Sequence, residues 1–247
     1  MPDALYDQIG HTYSTTRRAD PRIAWALDAV LGDARTMLNV GAGAGAYEPA
    51  GKLVIAVEPS SQMIRQRPRD AAPVVQATAE ALPFRARTFD VACALLTLHH
   101  WADWRLGLAE MKRVGRRVVL LAFDPSALHR FWLTEAYFPD IIERDRRRSP
   151  SVAEIARELG TCRVEPVPIP HDCTDGFLGA FWRRPESYLD PRVRAGMSGF
   201  ALLDADAVTR GVARLESDLQ SGEWERRFGY LKSLETFDAG YRLFSTH

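Results

Sequence analysis

Lysine is nearly missing from this sequence. Lys52, Lys112 and Lys232 stand against 29 arginines in 247 residues. With abundant alanine, the imbalance reads as codon bias of a GC-rich genome; a bacterial source is expected, and nothing follows about partners. Net charge is missing too, since Lys+Arg and Asp+Glu balance at 32 each. Such a chain has no overall electrostatic pull towards nucleic acid or an anionic membrane. Cysteine is scarce and scattered, at Cys93, Cys162 and Cys173. No CxxC pair suggests a zinc or dithiol site, the odd number argues against a disulfide framework, and no metal is expected. No apolar run approaches the roughly 18 residues of a membrane span, and no basic-then-apolar leader opens the chain. A cytoplasmic protein, monomeric or homodimeric, is the expectation.

What is present is a core. The hydrophobic content of 46% suits a soluble α/β domain with insertions. Residues 20–31 have helical spacing, with Asp20 placed to cap and Pro21 in the first turn. Short apolar strands follow at 36–40, 52–58, 73–78, 88–98 and 116–124, with an amphipathic helix at 103–114. Apolar strands alternating with helices predict a parallel sheet covered on both faces, a doubly wound α/β fold. Ligands of such sheets bind beyond the carboxyl ends of the strands. Past Asp124 the pattern loosens. A helix is predicted at 149–160, a strand at 162–170, polar helix over 204–235 and a last strand at 240–246.

The first strand runs into Gly41, Gly43 and Gly45, within "LNVGAGAGAYEP". Glycines allow a tight turn and close approach of a ligand to the main chain. Read as GxGxxA, the stretch fits a loose dinucleotide fingerprint; it suits a nucleoside cofactor without phosphate equally well. Glu58, closing the second strand, can accept ribose hydroxyls in either case.

The motifs downstream discriminate. In order and spacing, "LNVGAGAG", "VIAVEPSSQMI", "ATAEALPF", "FDVACALLTLHHW" and "GLAEMKRV" make residues 36–124 resemble class I S-adenosylmethionine-dependent methyltransferases, small-molecule enzymes of the methyltransferase 11 type. The resemblance implies a Rossmann-like seven-stranded sheet of order 3-2-1-4-5-7-6 with strand 7 antiparallel. It also implies a single domain: an N-terminal helical cover (1–35), a cofactor-binding half (36–124), and substrate-side insertions with the C-terminal strands (125–247). Gly41, Ala42, Gly43 and Gly45 would lie against the methionine part of the cofactor, with Leu95 beneath it. Glu58 would hold the ribose, and Pro59, Met63, Thr78, Ala79 and Glu80 would surround the adenine. Asn39 stands where the family often has an acid for the cofactor's ammonium group, and Thr78 where it often has Asp. In the N-terminal segment, Tyr6 and Tyr13 are candidates to cover the sulfonium, and Arg17 to meet the cofactor carboxylate.

Methyl transfer needs alignment, exclusion of water and, for some acceptors, a base. His99 and His100, at the end of the fourth strand, are the candidate bases, because imidazole titrates near neutrality; packing against the backbone is the competing role for one of them. His171, beside Asp172, is a further candidate. Tyr6, Trp101, Trp132, Tyr137, Phe177 and Trp182 are candidate walls for a small-molecule acceptor, the insertion aromatics serving equally as ordinary core. The expected activity is S-adenosylmethionine-dependent methylation of O, N or C in bacterial specialised metabolism. A non-methylating cofactor-binding relative (a cyclase or regulator) and an NAD-dependent dehydrogenase are the alternatives; a parallel last strand would favour the dehydrogenase.

Overall fold

Strand β1 (Thr36–Val40) is buried along almost its whole length and lies in the interior of the sheet. The computed structural model describes Tyr6, Asp7 and residues 16–247; Tyr13 lies outside the described residues. Parallel partners flank β1: β2 (Leu53–Val57) on one side and β4 (Phe89–Leu95) on the other. Outside them run β3 (Val74–Val75) and β5 (Gly115–Phe123). Strand β9 (Tyr241–Thr246) enters antiparallel between β5 and β6 (Cys162–Pro166). The order β3-β2-β1-β4-β5-β9-β6 is the expected seven-stranded arrangement, with its last strand reversed. The reversed strand speaks against the dehydrogenase alternative.

Alternation sorts the apolar side chains of each strand onto two faces. Met37, Val91, Cys93, Val119 and Leu121 face one core, shared with helix α1 (Pro21–Leu31) and the segments after Asp124. Leu38, Val40, Ala92, Val118 and Leu120 face the other, under α3 (Trp104–Val114). Both helices start on an aspartate cap: Asp20 accepts from the Arg22 N–H, and Asp103 from Arg105 and Leu106. Between them in sequence, the short α2 (Ser61–Arg65) follows β2.

The loose region after Asp124 becomes α4 (Trp132–Ala136), α5 (Pro139–Arg148) and α6 (Val152–Leu159), the last opened by a Ser151/Glu154 capping box. Short helices α7 (Pro191–Ala195) and α8 (Ser198–Ala201) precede the polar α9 (Ala205–Gln220) and α10 (Glu223–Phe228).

Three strand expectations are corrected. The stretch 162–170 is not one strand: Pro166 and Pro168 cannot donate to a ladder. Its tail, β7 (Ile169–Pro170), pairs instead with β8 (Thr236–Phe237) in a separate ribbon. The third strand shrinks to Val74–Val75 at one edge of the sheet. The fourth stops at Leu95, because Leu96 adopts φ 55° and the chain turns into a 3-10 helix at Leu98–His100.

Candidate active site

The carboxyl ends of β1, β2 and β4 open onto a cleft of about 680 Å³, within the range of small-molecule sites. Gly41 (φ 70°) and Gly43 (φ 54°) form one wall. The backbone there is bare of necessity: a Cβ on Gly41 would stand 2.3 Å from Thr97 Oγ1. Gly41 and Ala42 are tied down by N–H bonds of 2.8 and 3.0 Å to the Val57 carbonyl.

Glu58 faces this wall almost fully buried, at 5% exposure. It accepts from Gly43 N–H at 2.8 Å and Ser60 N–H at 2.9 Å. Burial pushes its pKa up, against the pull of those two bonds. Pro59, Met63, Thr78, Ala79, Glu80 and Leu95 complete the expected set around the cleft, and Trp101 joins them rather than a separate acceptor wall. Carboxylates from Asp7, Glu58 and Glu80 line the cleft against a single cationic lining residue, Arg148, among the described residues. That balance suits a cationic sulfonium ligand and disfavours a pyrophosphate.

Asn39 does not reach the cleft. It is buried under the glycine loop, where its Nδ2 donates to Glu48 Oε1 at 3.3 Å. Glu48 in turn forms a buried ion pair with Arg67 at 2.6 Å, and Arg67 Nη1 donates to the Gly43 carbonyl at 3.2 Å. The amide therefore completes a brace beneath the loop. Gly45 packs beside Arg67 in the same brace, and Ala42 is buried behind the cleft.

Behind the cleft lies a smaller chamber of about 70 Å³. Tyr6, Leu96 and His100 border both spaces and so form the partition. Phe177, Tyr241 and Met197 supply apolar walls, and Asp145 and Ser149 a polar side. The two histidines lie ring to ring, 3.8 Å between centroids. His100 Nε2 is 3.2 Å from the Tyr6 hydroxyl. Burial drives both imidazoles towards the neutral form: the His99 pKa falls to about 4 and that of His100 drops well below the usual value. The charges of Arg148, Arg17 and Arg144 push in the same direction.

This depression has a stability consequence. Between about pH 6.5 and about 4 the unfolded chain takes up protons on these histidines and the folded chain does not. Stability contributed by the neutral rings is complete above pH 6.5 and falls on acidification through that window. Urea midpoints measured across it should drop, and replacing both histidines with Gln should flatten the drop.

Other expected site residues stand elsewhere. Arg17 lines the smaller chamber, not the larger cleft, and pairs with buried Asp175 at 2.7 Å. His171 is at the surface, its Nδ1 3.4 Å from Glu235, while Asp172 pairs with Arg22. Adjacent residues diverge, so Asp172 does not orient His171. Trp132, Tyr137 and Trp182 are core, lining neither space. Trp132 Nε1 donates to the Trp182 carbonyl at 2.8 Å, and the Tyr137 hydroxyl to Asp218 at 2.8 Å. Sequence reasoning missed Asp145 and Ser149, although Ile141, Asp145 and Ser149 recur at a helical spacing of four. Asp7 was missed as well: it accepts from Ser60 Oγ and Gln62 N–H at the start of α2. No pattern in the sequence marks it.

A methyltransferase-domain family matches residues 38–123. A candidate methyltransferase from an antibiotic biosynthesis pathway of Anabaena variabilis is 35% identical over 96% of this chain and 99% of its own, with a TM-score of 0.87. The chain belongs to the class I S-adenosylmethionine-dependent methyltransferases. Its cofactor is S-adenosylmethionine. The fold is shared more distantly with YcgJ of Bacillus subtilis (18% identity, 96% of each chain, TM-score 0.50). It is shared also with the plantazolicin methyltransferase BpumL, solved with S-adenosylhomocysteine (9% identity, 91% of this chain and 80% of that one, TM-score 0.51). No curated protein matches the chain in sequence. Among the described residues of this methyltransferase no helix is long and apolar enough to cross a membrane, and no cluster of His, Cys, Asp or Glu is placed to hold a metal.

Proposed function

We propose that this methyltransferase methylates a small molecule whose reacting end enters the chamber behind His100. The observation that carries the reading is the partition: a cleft with the cofactor's charge preference and a separate chamber meet at Tyr6, Leu96 and His100. In this reading Gly41, Gly43, Glu58, Pro59, Met63, Thr78, Ala79, Glu80 and Leu95 hold the cofactor. When bound, the cofactor supplies an electrophilic methyl group on a sulfonium. Glu58 keeps acceptor capacity beyond its two backbone bonds for the ribose hydroxyls. Phe177, Tyr241 and Met197 exclude water from the acceptor side. Residues 1–35 act as the cover and 125–247 as the acceptor-side half. A methyltransferase of bacterial specialised metabolism fits this arrangement and the Anabaena relative. The non-methylating alternative loses the support of Asn39, whose amide is explained by its bond to Glu48.

Calorimetry with S-adenosylhomocysteine tests the cofactor half. Glu58→Ala removes the ribose acceptor and frees the Gly43 and Ser60 N–H groups, and should weaken binding about 10- to 100-fold. Absence of binding to the unaltered protein at millimolar ligand would sink the reading.

A further inference from the structure

Buried polar atoms at and beside the chamber are left without partners. Buried polar atoms are normally hydrogen-bonded. Among the described residues five buried side-chain polar atoms make no hydrogen bond, and three of them gather here: His100 Nδ1, Arg144 Nη1 and Thr16 Oγ1. His100 borders the chamber. Arg144 is paired through Nε and Nη2 with Asp145, which lines it. Thr16 packs on Gly196, another lining residue, whose Cβ would meet Thr16 Oγ1 at 2.1 Å. An arginine nitrogen can only donate, and a threonine hydroxyl donates freely.

The tautomer of His100 follows from its one hydrogen bond. A phenol is the stronger donor and an imidazole nitrogen the stronger acceptor, so the Tyr6 O–H donates to Nε2 at 3.2 Å. The ring is neutral, so the proton sits on Nδ1, which becomes a buried donor with no acceptor. Asp145, the carboxylate that lines the chamber, is matched by Arg144, and the lining Arg17 is paired with buried Asp175. Arg148, at the rim of the cofactor cleft, forms no ion pair among the described residues. An ammonium ion would find no unmatched carboxylate in the chamber. An oxyanion would find the spare donor of His100 and the positive field of Arg17, Arg144 and Arg148.

We propose that the methyl acceptor is an acidic hydroxyl compound (a carboxylic acid, enol or phenol) bound as its oxyanion, and that His100 holds that oxygen through Nδ1–H, fixed by Tyr6. This rests on the methyltransferase reading above and names its substrate class. The low basicity of both imidazoles agrees with it: a ring that refuses a proton is a poor base for an amine but a durable neutral donor. The acceptor loses its proton to solvent before entry. Its oxyanion then supplies the electron pair of the new O–CH3 bond, the S–CH3 bond breaks, and that pair stays on sulfur as a neutral thioether. No proton moves within the chamber.

The test uses the full chain loaded with S-adenosylhomocysteine. Long-range proton–nitrogen correlation with isotope-labelled histidine should show His100 protonated on Nδ1; protonation on Nε2 overturns the proposal. In the same sample para-nitrophenol serves as the probe. Its bound form should titrate at least about one pH unit lower than in solution, so that phenolate binds about 10-fold tighter than phenol. His100→Asn keeps an N–H near the Nδ1 position without a base and should retain most of that preference; His100→Ala should lose it. Equal or tighter binding of the neutral phenol, or no binding of the probe, overturns the proposal. So does an Asn variant that behaves like Ala while thermal melting shows both folded. Calorimetry of S-adenosylhomocysteine on the unloaded protein separates the two levels. Its failure removes the methyltransferase reading, whereas intact cofactor binding without a phenolate preference removes this inference alone.

Discussion

Gly41→Ala is expected to weaken S-adenosylhomocysteine binding at least about 100-fold, the equivalent of about 2.7 kcal/mol. Two costs combine. An alanine at φ 70° pays about 1–2 kcal/mol for the left-handed backbone. Its Cβ would also stand 2.3 Å from Thr97 Oγ1 and 2.8 Å from Thr97 Cγ2. Neither side can yield cheaply. Thr97 is buried and β-branched, and Gly41 is held by its N–H bond to Val57. Relief has to come from displacing the loop, which carries the Gly43 N–H away from Glu58. Calorimetry reads the loss. Adding Thr97→Ala should recover part of it by removing the clash, while the backbone cost stays. Unchanged affinity in the single variant would mean that the loop does not form the cofactor wall.

The second large effect is on stability. Trp182→Ala should cost about 3–5 kcal/mol in urea unfolding, the usual toll of deleting a buried indole. Trp182 has 0% exposure. Its Nε1 donates to the Ile169 carbonyl at 3.0 Å, tying the substrate-side segment to the small β7–β8 ribbon. Its ring stacks on Phe237 of β8 at 5.4 Å, and its carbonyl receives the Trp132 indole. The truncation leaves a cavity and deprives the Ile169 carbonyl and the Phe237 ring of their partner. A residue serving as a substrate wall would instead change KM and leave unfolding alone. A variant as stable as the parent would return Trp182 to the acceptor site.

Phe177 and Trp182 show why the acceptor side was hard to read. Both belong to one aromatic-rich run with the same composition on either side. The structure turns Phe177 towards the chamber and Trp182 into the core. Nothing periodic separates them, because the segment is built of turns and short helices without a repeating face. Asn39 teaches a related lesson. In sequence it stands as a missing acid, whereas in space it belongs to a brace with Glu48 and Arg67, nine and 28 residues further on. By contrast, Glu58, Met63 and the Thr78–Glu80 loop line the cleft as expected, because each lies at or just beyond a strand end.

The sequence by itself determined the alternation of apolar strands and helices and the glycines and polar groups at the strand ends, while the strand order and the reversed last strand came through the family resemblance. The first group depends on local features: apolar strands, caps, glycines in left-handed turns, and polar groups placed at strand ends by the chain's own period. Tertiary structure decided the smaller chamber, proposed above as the acceptor site. Tyr6, His100, Asp145 and Phe177 come from four distant segments. Which of them face a shared space depends on how irregular segments pack, and that is set by the whole core, including which buried donors are left without acceptors.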